Sequence, residues 1–488
     1  MDYILKIGES TDRELVGGKG ASLSAMQQLG LNVPPGFTIT TQAWRDYDAG
    51  QVSEEALWKR VVVTLDEMFP GLKSGEQLIS VRSGAPLSMP GMMSTVINVG
   101  ATKGDSPLSK MNFHRSMLCA LGVSESSIAD KIETALEEAH VFSPKDLGDK
   151  GVDSVLTSLK ELYGTVDVKL PISTVSQAKL AMLQVFKSWD SERAQVYRAE
   201  RGIDRNIGTA VTFQLMVNGL HGGSGVYLTR QPSTGEPTPM IDWVKGGQGD
   251  DVVSGLVTPL TGEQLKKARP LIYEQLIGIG ARLEQHYGDA MDIEFTFDGD
   301  ALYILQCRTM KRTPTAACRI LVDLALEGLV DRQRFLSTKV EPIERETVQL
   351  PAGLKAWATG LPVVGKHLVG QLTMSKTPEP GKIVVRKTTS TDDLPHMINA
   401  LAVITMDGGP TCHAALVARD FNVPTIVSLA ATHGGAYISN GISRLGEGAT
   451  VTLTPDGCLY EGKVDLTVKS ELDPAYQRYL RLKNFAEG

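Results

Sequence analysis

Apolar residues along this chain recur with two different periods, and the changes of period mark the elements that the sequence predicts. Short apolar runs bounded by turn residues predict strands in the first hundred residues, at 3–7, 33–39, 78–83 and 94–99. Apolar positions at helical spacing predict mostly helix over 41–75 and a helical block over 107–200. The first two hundred residues are therefore expected to combine several strands with a helical block.

From residue 207 the pattern returns to strands. Apolar runs at 209–217 and 226–230 are joined by a glycine-rich turn, which predicts a β-hairpin, and 239–244 predicts another strand. Helical spacing predicts one helix or a pair of helices over 262–287, and a helix over 313–336. This part of the chain is expected to mix strands and helices.

Residues 337–382 interrupt the periodic pattern with five prolines, Pro342, Pro351, Pro362, Pro378 and Pro380. They predict an irregular linker at a domain boundary. The sequence beyond the linker again predicts regular elements, with strands at 383–386, 401–406 and 424–428, a hairpin over 449–461 and a terminal helix over 472–486.

The composition restricts the class of protein. With 488 residues the chain is long enough for about two to four domains. A formal net charge of −7 argues against nucleic-acid and membrane-surface partners, which favour basic faces. The five cysteines form no Cys-x-x-Cys pair, the N-terminus lacks a signal-peptide pattern, and no apolar run reaches about 18 residues. These features predict a cytoplasmic protein with reduced thiols and no transmembrane helix.

The stretch 407–419 carries the strongest candidate chemistry. A buried strand is predicted up to Met406, a glycine-proline turn follows, and His413 opens an alanine-rich helix. Backbone N–H groups at a helix start favour anions, so a histidine there can meet phosphate. The hypothesis is that His413 is a nucleophile that carries a phosphoryl group. The alternative is a histidine that only caps or packs the helix.

Two candidate phosphate contacts lie near the N-terminus. Glycines around Lys19 precede a predicted helix, so the backbone can approach a phosphate while the lysine adds positive charge. A lysine on an ordinary glycine turn is the alternative. Arg82 ends a predicted strand, and its guanidinium can bind phosphate through two hydrogen bonds. The methionine-rich loop 84–93 is expected to be a flap over a ligand or, alternatively, a packing loop.

A candidate metal site follows from the alternation of Met291–Phe297. Asp292 and Glu294 share one face of this predicted strand. Residues 301–308 are expected to pair with it across the turn 298–300, with Gln306 and Arg308 on one face. Carboxylates can hold Mg²⁺ while an arginine neutralises phosphate, which suits a magnesium–triphosphate site. The alternative is a hairpin with a polar solvent face.

Several ordered blocks together resemble the pyruvate phosphate dikinase and phosphoenolpyruvate synthase family. The blocks are Gly17–Ala21 with Val33–Phe37, Ser80–Asn98, Gly208–Gly219 with Leu228–Glu236, Asp292–Arg312 and Gly408–Arg419. The resemblance implies a multidomain α+β and α/β fold, in which an ATP-grasp nucleotide-binding domain with a helical insert precedes a swivelling β/β/α phosphohistidine domain. The implied ATP-grasp domain has a first subdomain at 1–105, a helical subdomain at 106–200 and a second subdomain at 201–336. A linker at 337–382, the phosphohistidine domain at 383–465 and a C-terminal helix at 466–488 follow.

The resemblance also implies a role for each matched residue. His413 falls on the phosphorylated histidine and Thr411 on the threonine beside it. Asp292 and Glu294 fall on metal-coordinating acids, which implies Mg²⁺ as a cofactor. Contacts to ATP or its phosphates are implied for the other matched residues, Lys19, Arg82, Gln214, Asp242, Gln306 and Arg308. Asp242 departs from the family pattern, in which a glutamate is expected.

In this family the histidine attacks the β-phosphorus of ATP and AMP leaves. The terminal phosphoryl group then passes to phosphate or water, and the phosphohistidine donates to an organic acceptor. One histidine must reach two distant sites, so the linkers beside it are expected to allow a large swing. The dikinases bind pyruvate in a (β/α)₈ barrel of about 250 residues, which the residues after Glu461 cannot form.

The expected function is therefore that of a phosphotransferase component. Its acceptor is expected to be an organic hydroxyl compound (a phenol, cresol or alcohol) held by a partner subunit, as in phenylphosphate synthase-like and 4-methylbenzyl phosphate synthase-like enzymes. The alternatives are a dikinase or synthase module that works with a separate pyruvate-binding chain, a stand-alone small-molecule dikinase and a piece of a longer dikinase. A non-enzymatic nucleotide-binding relative is a further alternative, against which the complete set of matched residues argues.

Overall fold

The computed structural model describes residues 2–487 except 88, 90–91, 102–104, 142–143, 145, 167, 218, 220, 247–258 and 352. Its contacts divide the chain into two compact units. The first comprises Met1–Asn218 with Tyr303–Cys307, and the second comprises Gly219–Leu302 with Arg308–Gly488. In the part of the chain that the structure describes, every helix is too short or too polar to span a membrane.

A five-stranded antiparallel sheet organises the first unit, in the order β1-β2-β5-β3-β4. Its strands are β1 Ile4–Lys6, β2 Gly36–Ile39, β3 Ile79–Gly84, β4 Thr95–Val99 and β5 Ala210–Leu215. Phe37 and Phe213 lie on facing positions of β2 and β5, and their rings stack with centroids 4.8 Å apart. These strands agree with the apolar runs, although β5 is contributed from far along the chain.

In the residues that the structure describes, eight α-helices accompany this sheet, and the last five of them confirm the predicted helical block over 107–200. They are α1 Arg13–Gln28, α2 Thr41–Asp48, α3 Glu54–Met68, α4 Pro107–Ala120, α5 Glu125–Glu138, α6 Asp149–Glu161, α7 Thr174–Ser188 and α8 Glu192–Arg201. Side chains of Asp12, Thr40, Ser53 and Ser106 accept hydrogen bonds from the first turns of α1 to α4. Such N-caps satisfy backbone donors that have no partner inside the helix.

A second sheet opens the second unit. Its strands are β6 Gly223–Leu228, β7 Met240–Lys245, β8 Leu260–Thr261 and β9 Met291–Asp298, and β10 Ala301–Thr309 follows. β6 is central, with β7 and β9 antiparallel on its two sides. The residues Tyr303–Cys307 of β10 group with the first unit, whereas Arg308 groups with the second.

The predicted hairpin between 209–217 and 226–230 is wrong. β5 pairs with β2 and β3, whereas β6 pairs with β7 and β9. The glycines that suggested a hairpin turn lie partly within β6 and permit close packing there. A Cβ added at Gly225 would lie 2.5 Å from the Asp242 carbonyl oxygen and 2.6 Å from the Phe295 ring. A glycine run in a strand pattern can therefore mark a close approach of another backbone as well as a turn.

The helices of the second unit are α9 Gly262–Ala268, α10 Pro270–Tyr287, α11 Pro314–Leu326, α12 Arg332–Ser337, α13 Leu394–Ile398, α14 His413–Phe421 and α15 Pro474–Glu487. The helical prediction over 262–287, which left one helix or a pair open, is confirmed as a pair, and Thr261 with Gln264 forms a capping box at its start. Tyr476 and Tyr479 of α15 belong to the same apolar core as α11 and Phe335. The terminal helix thus packs onto the helices that precede residue 337.

The remaining strands are β11 Glu344–Gln349, β12 Ala358–Thr359, β13 Leu361–Val364, β14 Leu368–Thr373, β15 Ile383–Arg386, β16 Ala402–Thr405, β17 Thr425–Val427, β18 Thr432–His433, β19 Tyr437–Ser439, β20 Arg444–Gly446, β21 Thr450–Leu453, β22 Cys458–Glu461 and β23 Thr467–Leu472. Eight of them form one sheet in the order β12-β22-β21-β14-β15-β16-β17-β13, and β18, β19 and β20 form a small sheet. The strands β14 to β17 are mutually parallel and their core is buried, which places helix α14 directly after a buried parallel strand.

The expectation that 337–382 is irregular is wrong, because β11 to β14 lie within it and three of them join the eight-stranded sheet. Pro362 is compatible with this sheet because β13 is an edge strand, where a missing N–H donor is tolerated. The position of the domain boundary remains a prediction.

β11 and β23 form a separate antiparallel ribbon, with pairs running from Glu344 and Leu472 to Gln349 and Thr467. Every residue of β23 is exposed.

Candidate functional site

Arg82 is the centre of a polar cluster in the first unit. It lies on β3, and its Nη1 donates to Gln214 Oε1 at 3.1 Å and to the Leu305 carbonyl at 2.8 Å. Its Nη2 donates to Gln306 Oε1 at 3.2 Å, and Gln214 Nε2 donates to the Pro34 carbonyl at 3.2 Å. The structure therefore brings together three predicted nucleotide-binding residues, Arg82, Gln214 and Gln306.

Lys19 lies beside the end of the Arg82 strand. Gly17 has φ 68 and interrupts helix α1, so the glycine turn is a break within a helix that already begins at Arg13. A Cβ at Gly17 would lie 1.8 Å from the Gly84 carbonyl oxygen, so only glycine allows the two segments to approach so closely. The N–H of Gly18 donates to the Ala85 carbonyl at 2.8 Å. Lys19 is thereby fixed next to the start of the methionine-rich loop.

The prediction of a flap falls partly on residues 88 and 90–91, which lie outside the described residues. Within the loop, Met89 and Met92 are buried, and Arg193 Nε donates to the Met92 carbonyl at 3.1 Å. The side chains of Met89 and Met92 therefore pack against the protein. The flap remains a prediction.

A cavity in the second unit is lined by both acidic and basic side chains, and we call it the Asp292 cavity after its buried carboxylate. Asp292 on β9 is 2% exposed, and its Oδ2 accepts a hydrogen bond from Arg308 Nε at 2.8 Å. The other carboxylate oxygen, Oδ1, is buried and has no hydrogen-bond partner among the described residues. The polar residues that line the cavity with it are Glu294, Arg308, Lys311, Thr411 and Arg419. Three apolar residues, Val226, Leu228 and Leu416, complete the lining.

The charges in this cavity influence one another. Burial raises the pKa of Asp292, and the nearby Glu294 carboxylate raises it further, although Arg308 acts in the opposite direction. Burial alone would lower the pKa of Arg308, but the carboxylates of Asp292 and Glu294 outweigh that effect and raise it. The ion pair therefore keeps the guanidinium charged, while the carboxylate retains an unused acceptor.

The residues present fit a divalent metal ion. A buried carboxylate oxygen without a hydrogen-bond donor is suited to cation coordination, and Glu294 supplies a second carboxylate on the same strand. In the described part of the chain, no three His, Cys, Asp or Glu side chains converge. The protein alone would thus give a magnesium ion few ligands, and phosphate oxygens would have to supply others. The assignment of Asp292 and Glu294 to a metal remains a prediction.

Asp242 hydrogen-bonds to the motif that contains His413. Thr411 Oγ1 donates to Asp242 Oδ2 at 2.7 Å. Burial raises the pKa of Asp242, and this hydrogen bond partly offsets the rise. A second contact involves the other end of helix α14, where Asp420 Oδ1 forms an ion pair with Lys311 Nζ at 2.7 Å. Both pairs join residues near the Asp292 cavity to the segment around helix α14.

His413 is the first residue of helix α14, as predicted. Its Nδ1 lies 3.2 Å from Thr389 Oγ1. In the tautomer in which Nδ1 donates to this threonine, the nucleophilic lone pair lies on Nε2. Gly408 has φ 106, and a Cβ there would lie 2.9 Å from Cys412 Sγ, so the turn before the histidine depends on glycine. The residues lining the Asp292 cavity include Thr411 and Arg419 rather than His413 itself.

Sequence patterns alone missed three residues of this arrangement, Lys311, Arg419 and Thr389. Arg419 lies within the 407–419 stretch, but its helical position did not reveal that it would face the acidic strands. Lys311 follows β10 three residues after Arg308, outside the alternating pattern. Thr389 lies in the hydroxyl-rich run 388–391, in which no spacing marks it as a partner of His413.

The fold and these residues define a class of protein in which a nucleotide-binding region is joined to a phosphohistidine-type region. Two family models match the chain, and they match in that order. The model described as pyruvate phosphate dikinase, AMP/ATP-binding domain matches residues 13–56, 49–273 and 261–323. The model described as PEP-utilising enzyme, mobile domain matches residues 378–454. The chain belongs to the pyruvate phosphate dikinase family.

Curated relatives support the same assignment. Pyruvate, phosphate dikinase 2 of Oryza sativa subsp. japonica is 36% identical over 495 residues, which cover 93% of this chain and 54% of the relative. The chloroplastic pyruvate, phosphate dikinase 1 of Zea mays is 37% identical over 450 residues, covering 84% and 47%. The corresponding chloroplastic protein of Arabidopsis thaliana is 36% identical, again covering 84% and 47%. The chain spans about half the length of these relatives.

Proposed function

We propose that this chain transfers a phosphoryl group from ATP to His413 and then to an acceptor. One observation carries the proposal: Thr411 and Arg419, which flank His413 in sequence, line the same cavity as Asp292 and Glu294. The histidine motif thus lies in the second unit together with the carboxylates expected to serve magnesium–phosphate chemistry. Membership of the pyruvate phosphate dikinase family supports the same reaction type.

In the proposed first step, Nε2 of His413 attacks the β-phosphorus of ATP. The N–P bond forms as the bond from the β-phosphorus to the oxygen that bridges to the α-phosphate breaks, and AMP leaves with that oxygen. The terminal phosphoryl group then passes to phosphate or water, which leaves one phosphoryl group on the histidine. Magnesium held by Asp292 and Glu294 would offset charge on the phosphoryl oxygens.

The protein's own residues have defined tasks in this proposal. Thr389 orients the imidazole through Nδ1, and Thr411 ties the preceding turn to Asp242. Arg308 is held by the Asp292 carboxylate with its charge retained for phosphate. Contacts to the nucleotide and its phosphates are proposed for Lys19, Arg82, Gln214, Gln306 and Asp242.

For the final acceptor we propose an organic hydroxyl compound held by a partner subunit. The second candidate is pyruvate, and the similarity to pyruvate, phosphate dikinases favours it. Both accept a phosphoryl group on oxygen, so the histidine chemistry is the same for the two. They differ in what binds beside the phosphohistidine after the first transfer.

The histidine step is tested with Mg²⁺ and ATP labelled at the β- or the γ-phosphate. We expect acid-labile label on the protein from β-labelled ATP, together with stoichiometric AMP. His413→Ala is expected to lose the label, whereas His396→Ala, a change of another histidine in the same region, should keep it. Acid-labile label that survives in His413→Ala would contradict the proposal.

The acceptor is tested with the labelled, desalted protein. Phenol, cresol or pyruvate is added with and without fractions from the source cell, and loss of protein-bound label is followed together with the labelled product. A phenol-dependent loss that requires a copurifying subunit is expected. Loss with pyruvate alone would favour the second candidate. Omitting inorganic phosphate from the γ-labelled reaction distinguishes phosphate from water as the other acceptor.

A further inference from the structure

Arg419 is a buried cation on the helix that begins with His413. It is 4% exposed and lines the Asp292 cavity together with Leu416, which lies three positions earlier on the helix. Residues three apart lie on one face of a helix. The charge of Arg419 is therefore directed towards the acidic strands of the second unit.

The protein satisfies only part of this guanidinium. One nitrogen, Nη1, donates to the Pro410 carbonyl at 2.6 Å, whereas Nε has no hydrogen-bond partner among the described residues. A guanidinium carries five N–H donors, and burying a charge without partners is unfavourable. Burial accordingly lowers the pKa of Arg419 to about 10, although Cys412 and Asp292 act against that shift. The site thus favours a further acceptor at this arginine.

The same cavity contains the opposite deficiency, because Oδ1 of Asp292 lacks a hydrogen-bond donor among the described residues. A single bound anion would suit Arg419 but repel Asp292, and a single cation would do the reverse. A metal-bound phosphoryl group presents both partners, a cation to the carboxylate and an oxygen to the guanidinium. Lys311 also lines the cavity, but its ammonium already pairs with Asp420.

We propose that Arg419 binds a phosphoryl oxygen of a metal-bound di- or triphosphate in the Asp292 cavity. The inference rests on the proposed function, and it adds a second role to helix α14. This helix then contributes a cation for the phosphoryl group as well as the nucleophile that receives it. A charged donor placed in a buried site stabilises the negative charge that develops during transfer.

Binding of magnesium pyrophosphate to the full chain tests this directly by calorimetry. We expect Arg419→Gln to weaken binding about tenfold or more, and Arg419→Lys to weaken it less, because a charge-assisted contact is lost or only partly replaced. Arg481→Gln, which changes an exposed arginine of α15, should bind like the original protein. Affinity of Arg419→Gln equal to that of the original protein would overturn the inference.

The change Arg419→Gln also removes the hydrogen bond to the Pro410 carbonyl. Far-UV circular dichroism and thermal unfolding show whether the variant still folds without it. If Arg419→Gln does not fold, Arg419→Lys decides the question, because it retains the charge at this position. A folded Arg419→Lys with weaker binding supports the inference, and unchanged affinity overturns it.

Single-turnover labelling of His413 separates this inference from the proposed function. At saturating Mg²⁺ and ATP, Arg419→Gln should form labelled protein about 10²-fold more slowly, the size of effect seen when one buried charge-stabilising donor is removed. Equal rates in the two proteins would overturn the role of Arg419 and leave the proposed function intact. No label in the original protein would contradict the proposed function, while the pyrophosphate titration still reports on Arg419.

Discussion

The Arg82 cluster of the first unit and the Asp292 cavity of the second use similar residue types in different ways. The guanidinium of Arg82 is held by protein acceptors, namely two glutamine side chains and a backbone carbonyl. The Asp292 cavity contains a buried carboxylate oxygen and a guanidinium nitrogen without hydrogen-bond partners among the described residues. The first arrangement is preorganised by the fold, whereas we expect the second to acquire its missing partners from a ligand. We therefore expect mutation of Arg82 to lower mainly the stability of the fold, and mutation of Asp292 to lower mainly the affinity for a ligand.

Arg82→Ala should have the largest effect on folding. It leaves three acceptors without their donor, those of Gln214, Leu305 and Gln306. At about 1 kcal/mol or more for each buried acceptor, the free energy of unfolding should fall by about 3 kcal/mol. Urea denaturation measures this change. Arg60→Ala, which alters an exposed arginine of α3, is the control, and an equally small effect of both changes would show that Arg82 does not organise the cluster.

Asp292→Asn should act on ligand binding instead. It removes the charge next to the unused acceptor, so the affinity for magnesium–nucleotide should fall about 100-fold, the upper range for loss of a metal-site group. Calorimetry with Mg²⁺ and a non-hydrolysable ATP analogue measures the effect. Asp300→Asn, in an exposed turn, should leave the affinity unchanged. Metal-dependent binding that persists in Asp292→Asn would remove the contrast between the two sites.

Thr411→Val tests the contact between the histidine motif and Asp242. Loss of the 2.7 Å hydrogen bond should lower the free energy of unfolding by about 1 kcal/mol, and Thr411→Ser, which keeps the hydroxyl, should recover most of it. Denaturation of the three proteins under one set of conditions gives the comparison. A valine variant as stable as the serine variant would argue that the contact contributes nothing.

The pH dependence of Asp242 has a defined sign. Burial raises its pKa in the folded protein above the ordinary value of 3.8, so the folded state holds the proton more tightly than the unfolded state. The resulting stabilisation is complete below 3.8 and is lost as the pH rises through the folded-state pKa. Denaturation over a pH series above 3.8 should show the free energy of unfolding falling relative to Asp242→Asn. Parallel curves would contradict the prediction.

The ion pair between Lys311 and Asp420 should have the smallest effect. The two side chains are 23% and 10% exposed, so solvent screens the pair only in part, and we expect a coupling energy of about 1 kcal/mol. A double-mutant cycle with Lys311→Ala and Asp420→Ala measures it. Additive single effects would mean that the pair does not help to hold helix α14 beside the Asp292 cavity.

The sequence predicted elements well where local pattern decides the structure. The strand before His413, the helix that it opens and the alternation that pairs Asp292 with Glu294 all follow from short-range periodicity. The predicted hairpin at 209–230 failed because pairing is decided by distant strands, and glycines in β6 resembled a turn. The edge position of β13, which accommodates Pro362, is likewise set by the whole sheet.

The candidate site shows the same limit. The sequence identifies Arg82, Gln214 and Gln306 only as separate matches to the family, and the hydrogen bonds from Arg82 to the two glutamines depend on the tertiary structure. Arg419 is not identified by sequence patterns because its place in the cavity depends on the tertiary arrangement that brings residues of α14 and β9 to one cavity, which no local spacing encodes. That Oδ1 of Asp292 has no hydrogen-bond partner among the described residues likewise depends on the tertiary structure.

The ribbon of β11 and β23 places Gln349 directly opposite Thr467, so the intervening segment leaves and rejoins the rest of the second unit at one point. A segment with neighbouring ends behaves as an insertion, which can be excised or exchanged without redirecting the flanking chain. A short glycine turn between Gln349 and Thr467 would close the ribbon into a simple hairpin and leave α11 packed against α15. The segment 350–466, which contains His413, is thus arranged as a cassette, and a homologous segment could be grafted at the same two residues.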